Sequence, residues 1–487
     1  MKILDETAFV WRVRVWDISH MAYNFIECDR ETAYLMPPSL REWLPQDHLA
    51  WFILDAIDEM DLSKLHLKYR ADGWGRSSYD PTMMTGLILY AYSTGILSSR
   101  QIERSCRLDI AFRVIAANHI PDYSTISRFR AENDLELEQL FTQILEMCEE
   151  AGLVKLGVIA IDGTKIKAAA SLAANRTRSS LEAEVERIFR EARAKDAEED
   201  ALYGPDKRGD ELPEALRTRE GRLKRLREAK ARLEQAAAEA AAKQAAKVER
   251  HQAHKQATGK RISGRPPKAV RDRDFRRGNA KANVTDPESR MMTNGSGHHL
   301  QAYNAQIAVT KEQIIVAAHV TQAANDFNQL HPMIAKAKEQ LKAAGVERKI
   351  GKTLADAGYC SHINTVADPE GPELFIATMK SHKQRNSVQL PAPKGRTPKG
   401  LTPIELMERK LLTVRGRAFY KLRSQIVEPV FGQIKSIRQG GRFLRRRLHA
   451  VSSEWSLLCS THNLLKLWRS KKAKFSRNFG QATPAYA

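Results

Sequence analysis

Val158-Ile-Ala-Ile-Asp162-Gly-Thr-Lys-Ile166 is the stretch on which the fold turns. Its apolar, β-branched run reads as a buried strand, here Leu156 to Ile166, and the run itself ends on a carboxylate. A second short stretch, Thr353-Leu-Ala355, ends the same way on Asp356. A third carboxylate, Glu428, lies in Tyr420-Lys-Leu-Arg423-Ser-Gln-Ile-Val-Glu428-Pro-Val-Phe431-Gly-Gln-Ile-Lys435. Two Asp at strand ends and a downstream Glu on a helix form a donor set suited to metal-dependent phosphoryl transfer on nucleic acid. Two Mg²⁺ ions about 3.5–4 Å apart need carboxylate oxygens converging on one spot, with phosphate oxygens completing their shells. Mn²⁺ is expected to substitute.

The charge balance points to a polyanionic partner. The 487 residues carry 79 Lys and Arg against 58 Asp and Glu, a formal net charge of +21. The excess is concentrated: residues 216–281 hold 21 basic and 7 acidic residues, a net +14. Residues 415–447 hold 10 basic residues around one acid, Glu428. Clustered cations release counterions from phosphate when they bind it, so double-stranded DNA is the expected partner rather than mere solubility. The five cysteines, at 28, 106, 148, 360 and 459, form no CxxC pair and predict reduced, mostly buried thiols. Met83 to Leu97 is too short and too interrupted to span a bilayer, and the N-terminus resembles no cleavable signal. A cytoplasmic protein with no membrane partner is expected.

Four regions follow from the patterning. Residues 1–32 are a poorly matched extension, of which 1–20 are expected to be upstream sequence. Residues 33–153 read as an all-α DNA-binding domain. Within it Asp47 is placed to cap an amphipathic helix, Pro81 to Leu97 reads as a buried helix, and Ser98-Ser99 opens a third. Asp122 or Ser124 is placed to cap Thr125–Arg130. A short helix, a turn and a capped helix bearing Arg128 and Arg130 suit a helix-turn-helix reader of DNA; a helical bundle that merely supports the catalytic region is the alternative. Residues 154–470 form an α/β catalytic domain, and 471–487 are a tail.

That domain is interrupted at about 178–282 by Ala, Glu, Arg and Lys, with Leu223, Leu226 and Leu233 at helical spacing. A charged helical hairpin or coiled coil is predicted there. The basic Lys260-Arg-Ile-Ser-Gly-Arg265-Pro-Pro-Lys268 suits either a minor-groove hook centred on Arg265 or a flexible linker. Strands are expected at Leu300–Thr310, Gln313–Thr321, Lys352–Asp356 and Glu373–Thr378, with a helix at Asn325–Ala344. Asp286 is read as a turn cap, Asp326 as the residue opening that helix, and His298 and His299 as bystanders.

Ala160-Ile-Asp162-Gly-Thr-Lys-Ile166, Leu354-Ala-Asp356-Ala-Gly-Tyr359 and the Tyr420, Arg423, Glu428, Lys435 series resemble the signatures of bacterial insertion-sequence transposases of the DDE, RNase-H-like kind. Pro37 to Phe52, Tyr79-Asp-Pro81, Arg208 to Pro213 and Tyr303-Asn-Ala-Gln306 resemble theirs too, so the likeness runs from about residue 33 to 468. It implies an RNase-H-like mixed sheet with the hairpin inserted between the first and second strands. Asp162 and Asp356 would then lie side by side, with Glu428 arriving from the last helix. It further implies that Tyr420, Arg423 and Lys435 contact DNA, and that paired element ends are held by a homodimer. Pro429 disfavours helical geometry at Glu428, so the helix is expected to begin there, placing Glu428 at its N-terminus and Tyr420 and Arg423 just before it. Hydrolysis at an element end followed by strand transfer is the expected chemistry. A nuclease of the same fold and a non-catalytic, transposase-derived DNA-binding protein are the competing readings.

Overall fold

A computed structural model describes residues 39–69, 78–177, 179–187, 190, 214–258, 266–267, 281–294, 296–366, 368–379, 391–393 and 395–471. The extension at 1–32, the hook residue Arg265 and the tail beyond Lys471 lie outside the described residues. Contacts divide the chain at Trp43/Leu44. The described part of the first unit is one turn of 3-10 helix, Leu40–Glu42, capped by Ser39.

β1 (Val158–Lys167) is the middle of a six-stranded mixed sheet. One edge pairs antiparallel with β3 (His299–Thr310) along its length, from Ile159 opposite Thr310 to Lys167 opposite Ala302. The far edge of β3 pairs antiparallel with β2 (Arg290–Thr293) and then with β4 (Ile315–Thr321). The other edge of β1 pairs parallel with β5 (Lys352–Ala355) over Val158–Ala160 only, and β6 (Glu373–Ile376) continues outward in parallel. Three antiparallel strands, a helix (α8, Leu330–Ala343), a parallel strand, a short helix (α9, His362–Thr365) and a second parallel strand follow in the order expected. β3 is buried continuously from Gln301 to Thr310, as a strand covered on both faces must be.

The unequal pairing of β1 corrects one expectation. Asp162 does not end its strand, because the ladder to β3 carries β1 five residues further. Only the parallel partner stops, at Ala355, so Asp162 faces a notch where β5 turns away into Asp356.

The helices before β1 pack into the same apolar core as the sheet. Besides the single turn Ser63–His66, they are α1 (Leu49–Asp58), α2 (Pro81–Thr94), α3 (Ser99–Leu108), α4 (Ile110–Ile115), α5 (Tyr123–Glu132) and α6 (Asp134–Glu150). α2 is buried on nearly every side, which suits its apolar surface. Its start is fixed by Asp80, whose side chain accepts from the Thr82 N–H, with Pro81 at the first helical position. Asp47 is not the cap of α1; His48 is, its Nδ1 accepting from the Ala50 N–H at 3.1 Å. Asp122 caps α5, its Oδ1 accepting from the Ser124 N–H at 2.7 Å.

α11 (Leu448–Ser470) packs against α2, α6 and β4, and two of its buried polar side chains bond neighbouring backbone. Asn463 brackets the edge strand β4, accepting from the Ile315 N–H and donating to its carbonyl, both at 2.8 Å. Glu454 accepts the Leu444 and Arg445 N–H groups at 3.0 Å, fixing the loop before α11.

Two helical stretches of the insertion are among the described residues. Residues 179–187 are helical and lie against α7 (Glu214–Thr258), whose Leu226 and Ala229 enclose a small core with Leu181 and Ala282. Lys230 pairs with Glu182 at 3.2 Å and Arg222 with Glu184 across the two arms.

The helix carrying Glu428 departs from expectation most. α10 (Val414–Gly432) starts at Thr413 and runs through Pro429, so Glu428 is near its C-terminal end and Tyr420 and Arg423 are inside it. Proline costs a helix the hydrogen bond to the carbonyl four residues back. Here that carbonyl, Gln425 O, accepts instead from the Gln313 side chain at 3.3 Å. A π turn, Gln433–Ile437, follows directly and shifts the phase, so Glu428 and Lys435 are not two regular turns apart.

Candidate active site

β1 and β5 bring Asp162 and Asp356 together. Their register, Ala160 opposite Leu354, extends to place Asp162 beside Asp356 as the strands part. Asp356 leaves the strand as the cap of a 3-10 turn, Ala357–Tyr359, its Oδ1 accepting from the Gly358 N–H at 2.9 Å. Asp162 Oδ1 accepts from the Gly163 N–H at 2.9 Å. Its Oδ2 lies 3.3 Å from Arg423 Nη2, and Asp356 Oδ2 lies 3.7 Å from the same nitrogen. One guanidinium therefore spans both carboxylates.

The electrostatics follow from that burial. The Asp162 carboxyl is pushed up to about 7, first by desolvation and then by the charges of Asp356 and Asp326; Arg423 and the Gly163 N–H oppose the rise. Arg423 is held above its usual range by Asp162, Tyr420, Asp356 and Glu428, against its own desolvation. Tyr420, half-buried on the same helix, is raised by burial and by both aspartates.

Lys435 reaches β1 from the π turn and donates to Thr164 Oγ1, two residues from Asp162. Burial lowers its pKa, while the Asp162 charge acts to raise it. Tyr420, Arg423 and Lys435 are thus gathered around the aspartates.

Glu428 is placed differently. Its side chain is exposed on α10, and its charge acts on Arg423. Among the described residues, no group of three or more His, Cys, Asp and Glu side chains is arranged as a ready-made cation site.

Arg128 and Arg130 part company. Arg128 is exposed at a cleft lined by Tyr69, Tyr79, Thr125 and Glu132. Arg130 is 5% exposed, and its guanidinium donates to Tyr92 Oη and the Leu97 carbonyl at 3.0 Å and to Ser99 Oγ at 2.5 Å. It ties α2, α3 and α5 together and is turned away from any external phosphate, which corrects the reading of it as a DNA contact.

Asp326 is the residue sequence reading missed. It does not open a helix, since α8 begins at Leu330. Its Oδ1 accepts from Asn304 Nδ2 at 2.7 Å and Gln306 Nε2 at 2.6 Å, and its charge is felt at Asp162. An Asp shortly before an apolar-periodic segment ordinarily reads as a cap, and only the tertiary position of β3 reveals otherwise. Asp286 is buried, accepting the Tyr303 hydroxyl at 2.9 Å and the Arg447 N–H at 3.3 Å, and serves structure. His298 and His299 are exposed.

Comparison with protein families gives two matches. A family described as Transposase domain (DUF772) matches residues 38–132, which include Arg128 and Arg130. A second, Transposase DDE domain, matches residues 259–464, which include Asp326, Asp356, Tyr420, Arg423, Glu428 and Lys435. Asp162 lies between the two matches, on the near side of the hairpin insertion. No curated protein and no solved structure matches the chain. The two domains, in this order on one chain and with the aspartates brought together across the insertion, place the protein in the family of insertion-sequence transposases of the DDE type.

Proposed function

We propose that this protein binds the ends of its insertion sequence and catalyses metal-dependent strand cleavage followed by strand transfer, on an RNase-H-like catalytic core. The observation that carries the reading is the pairing of Asp162 and Asp356 on neighbouring parallel strands, with Arg423 across both. Two carboxylates side by side, that of Asp162 desolvated, call for a cation, and hard oxygen donors suit Mg²⁺ or Mn²⁺. Mg²⁺ commonly takes one or two protein carboxylates and completes its shell with water and phosphate, so the pair is a sufficient protein contribution. Asp162 and Asp356 would hold the metal, with Glu428 swinging in from α10. When bound, the metal supplies an activated water or 3′-hydroxyl and charge stabilisation at phosphorus.

The remaining work falls to the chain's own groups. Arg423, released from the carboxylates, offers a planar fork to a phosphate, and Lys435 a point charge beside it. Tyr420 closes the apolar side of the site. Arg128, exposed on α5, and the basic hairpin would hold DNA further from the scissile bond, with Arg265 reaching the minor groove. The helical region acts as the end-reading, helix-turn-helix-containing domain, and two copies bind paired ends in the cytoplasm. Among the described residues no helix is long and apolar enough to cross a membrane.

Mg²⁺-dependent cutting of labelled element-end DNA tests this reading. Wild-type protein should leave a 3′-hydroxyl at the element end, and Asp356→Ala should bind the same DNA without cutting it. Binding without cutting by the wild type, in Mg²⁺ and in Mn²⁺, would support the non-catalytic DNA-binding reading instead.

A further inference from the structure

We propose that Asp326 is a positioning residue that sets the place of Asp356 through a hydrogen-bonded strut made of Gln306 and Tyr359. The inference deepens the proposed function and rests on it. Tyr359 closes the turn that Asp356 caps, and its hydroxyl donates to Gln306 Oε1. The other end of that amide, Nε2, donates to Asp326 Oδ1 at 2.6 Å and to Asn304 Oδ1 at 3.0 Å. Asn304 Nδ2 in turn donates to the same Asp326 oxygen at 2.7 Å. Asn304, Gln306 and Tyr359 are fully buried and Asp326 is half-buried, which makes each interior donor and acceptor count.

The direction of the strut follows from the carboxylate. An amide can face either way, but an ionised carboxylate only accepts, so Asp326 fixes the Gln306 amide with its NH₂ inward and its carbonyl toward Tyr359. The tyrosine must then donate, and the turn carrying Asp356 is tied to β3 at a single setting. Gly163 lets the strut cross β1, because a Cβ there would lie 2.0 Å from Gln306 Nε2 and 2.6 Å from Asp326 Oδ1. Gly358 keeps the far side open, with Asp356 Oδ1 at 3.0 Å and Asp326 Oδ2 at 3.5 Å from the position its Cβ would take. Four residues that sequence resemblance marks separately, Gly163, Asn304, Gln306 and Tyr359, thereby share one physical task.

A double-mutant cycle with Asp326→Asn and Tyr359→Phe tests the strut, read as kcat for end cleavage and as Mn²⁺ affinity by electron paramagnetic resonance without DNA. Each single variant should lose about 10–100-fold in both readouts, the usual cost of removing an outer-shell partner, and the double variant should lose no more than either. Losses that multiply in the cycle, in variants that melt like wild type, would overturn the proposal and make Asp326 a direct ligand. Should Asp326→Asn not fold, Tyr359→Phe decides alone: weakened Mn²⁺ binding supports the strut, and unchanged binding refutes it. The Mn²⁺ readout needs no cleavage, so failure of the strut and failure of the transposase reading are distinguishable.

Discussion

Arg423 Nη2 sits 3.3 Å from Asp162 Oδ2, joining a helix to a strand 261 positions earlier in the chain. The same nitrogen is 3.7 Å from Asp356, so α10 is clamped over the notch where β5 parts from β1. Removing the guanidinium leaves two neighbouring carboxylates with no protein cation between them. Arg423→Ala should reduce cleavage by about 10²-fold or more, and Arg423→Lys should not rescue it, because an ammonium cannot offer a phosphate the planar fork of a guanidinium. Single-turnover cleavage of end DNA checks both. Activity near wild type in Arg423→Lys would show that only the charge matters.

Asp162 makes stability depend on pH with a defined sign. Its pKa rises from 3.8 to about 7 on folding, so between those values the native state binds more protons than the unfolded state. Stability from this group is full at low pH and is lost as pH rises through that window. Asp162→Asn, neutral throughout, should match the wild type near pH 4 and exceed it at pH 8 by on the order of 2 kcal/mol. Urea denaturation in metal-free buffer at both values reads this directly; equal stability at pH 8 would remove the argument.

Arg130 and Arg128 are predicted to fail in opposite ways. Arg130→Ala leaves Tyr92, Ser99 and the Leu97 carbonyl unpaired in the interior and should cost about 2–4 kcal/mol. Arg128→Ala, at the surface, should cost less than about 0.5 kcal/mol and weaken end binding at low salt. Parallel thermal melts and binding titrations separate the two. A stable Arg130→Ala would contradict the buried network.

The sheet was legible because its evidence is local. Apolar, β-branched runs located β3, β4 and β5 within a residue or two, and the apolar-then-acidic ending marked both aspartates. What escaped was set by partners distant in sequence. Pro429 alone argues for a helix boundary, yet Gln313 supplies the hydrogen bond that Gln425 would otherwise lack, and the helix continues. Arg130 and Arg128, two residues apart, look alike in sequence, but their helix turns one into the core and the other outward. Asp326 resembles a cap until β3 brings Asn304 and Gln306 against it.

The third carboxylate of the proposed site is Glu428. It is exposed on α10, so Glu428→Gln should leave the melting temperature unchanged, within about 0.5 kcal/mol, while cutting cleavage by at least about 10²-fold. Stability loss equal to that of a core substitution would assign it a structural role instead.

The claim that Asp162 and Asp356 hold the catalytic metal is tested most directly by exchanging ligand softness. Thiolates bind Mg²⁺ poorly and accept softer ions, so Asp356→Cys should bind end DNA like the wild type, fail to cleave it in Mg²⁺, and regain cleavage in Mn²⁺. Equal cleavage by wild type and Asp356→Cys in Mg²⁺ would show that the carboxylate does not touch the metal, and would contradict the account at its centre.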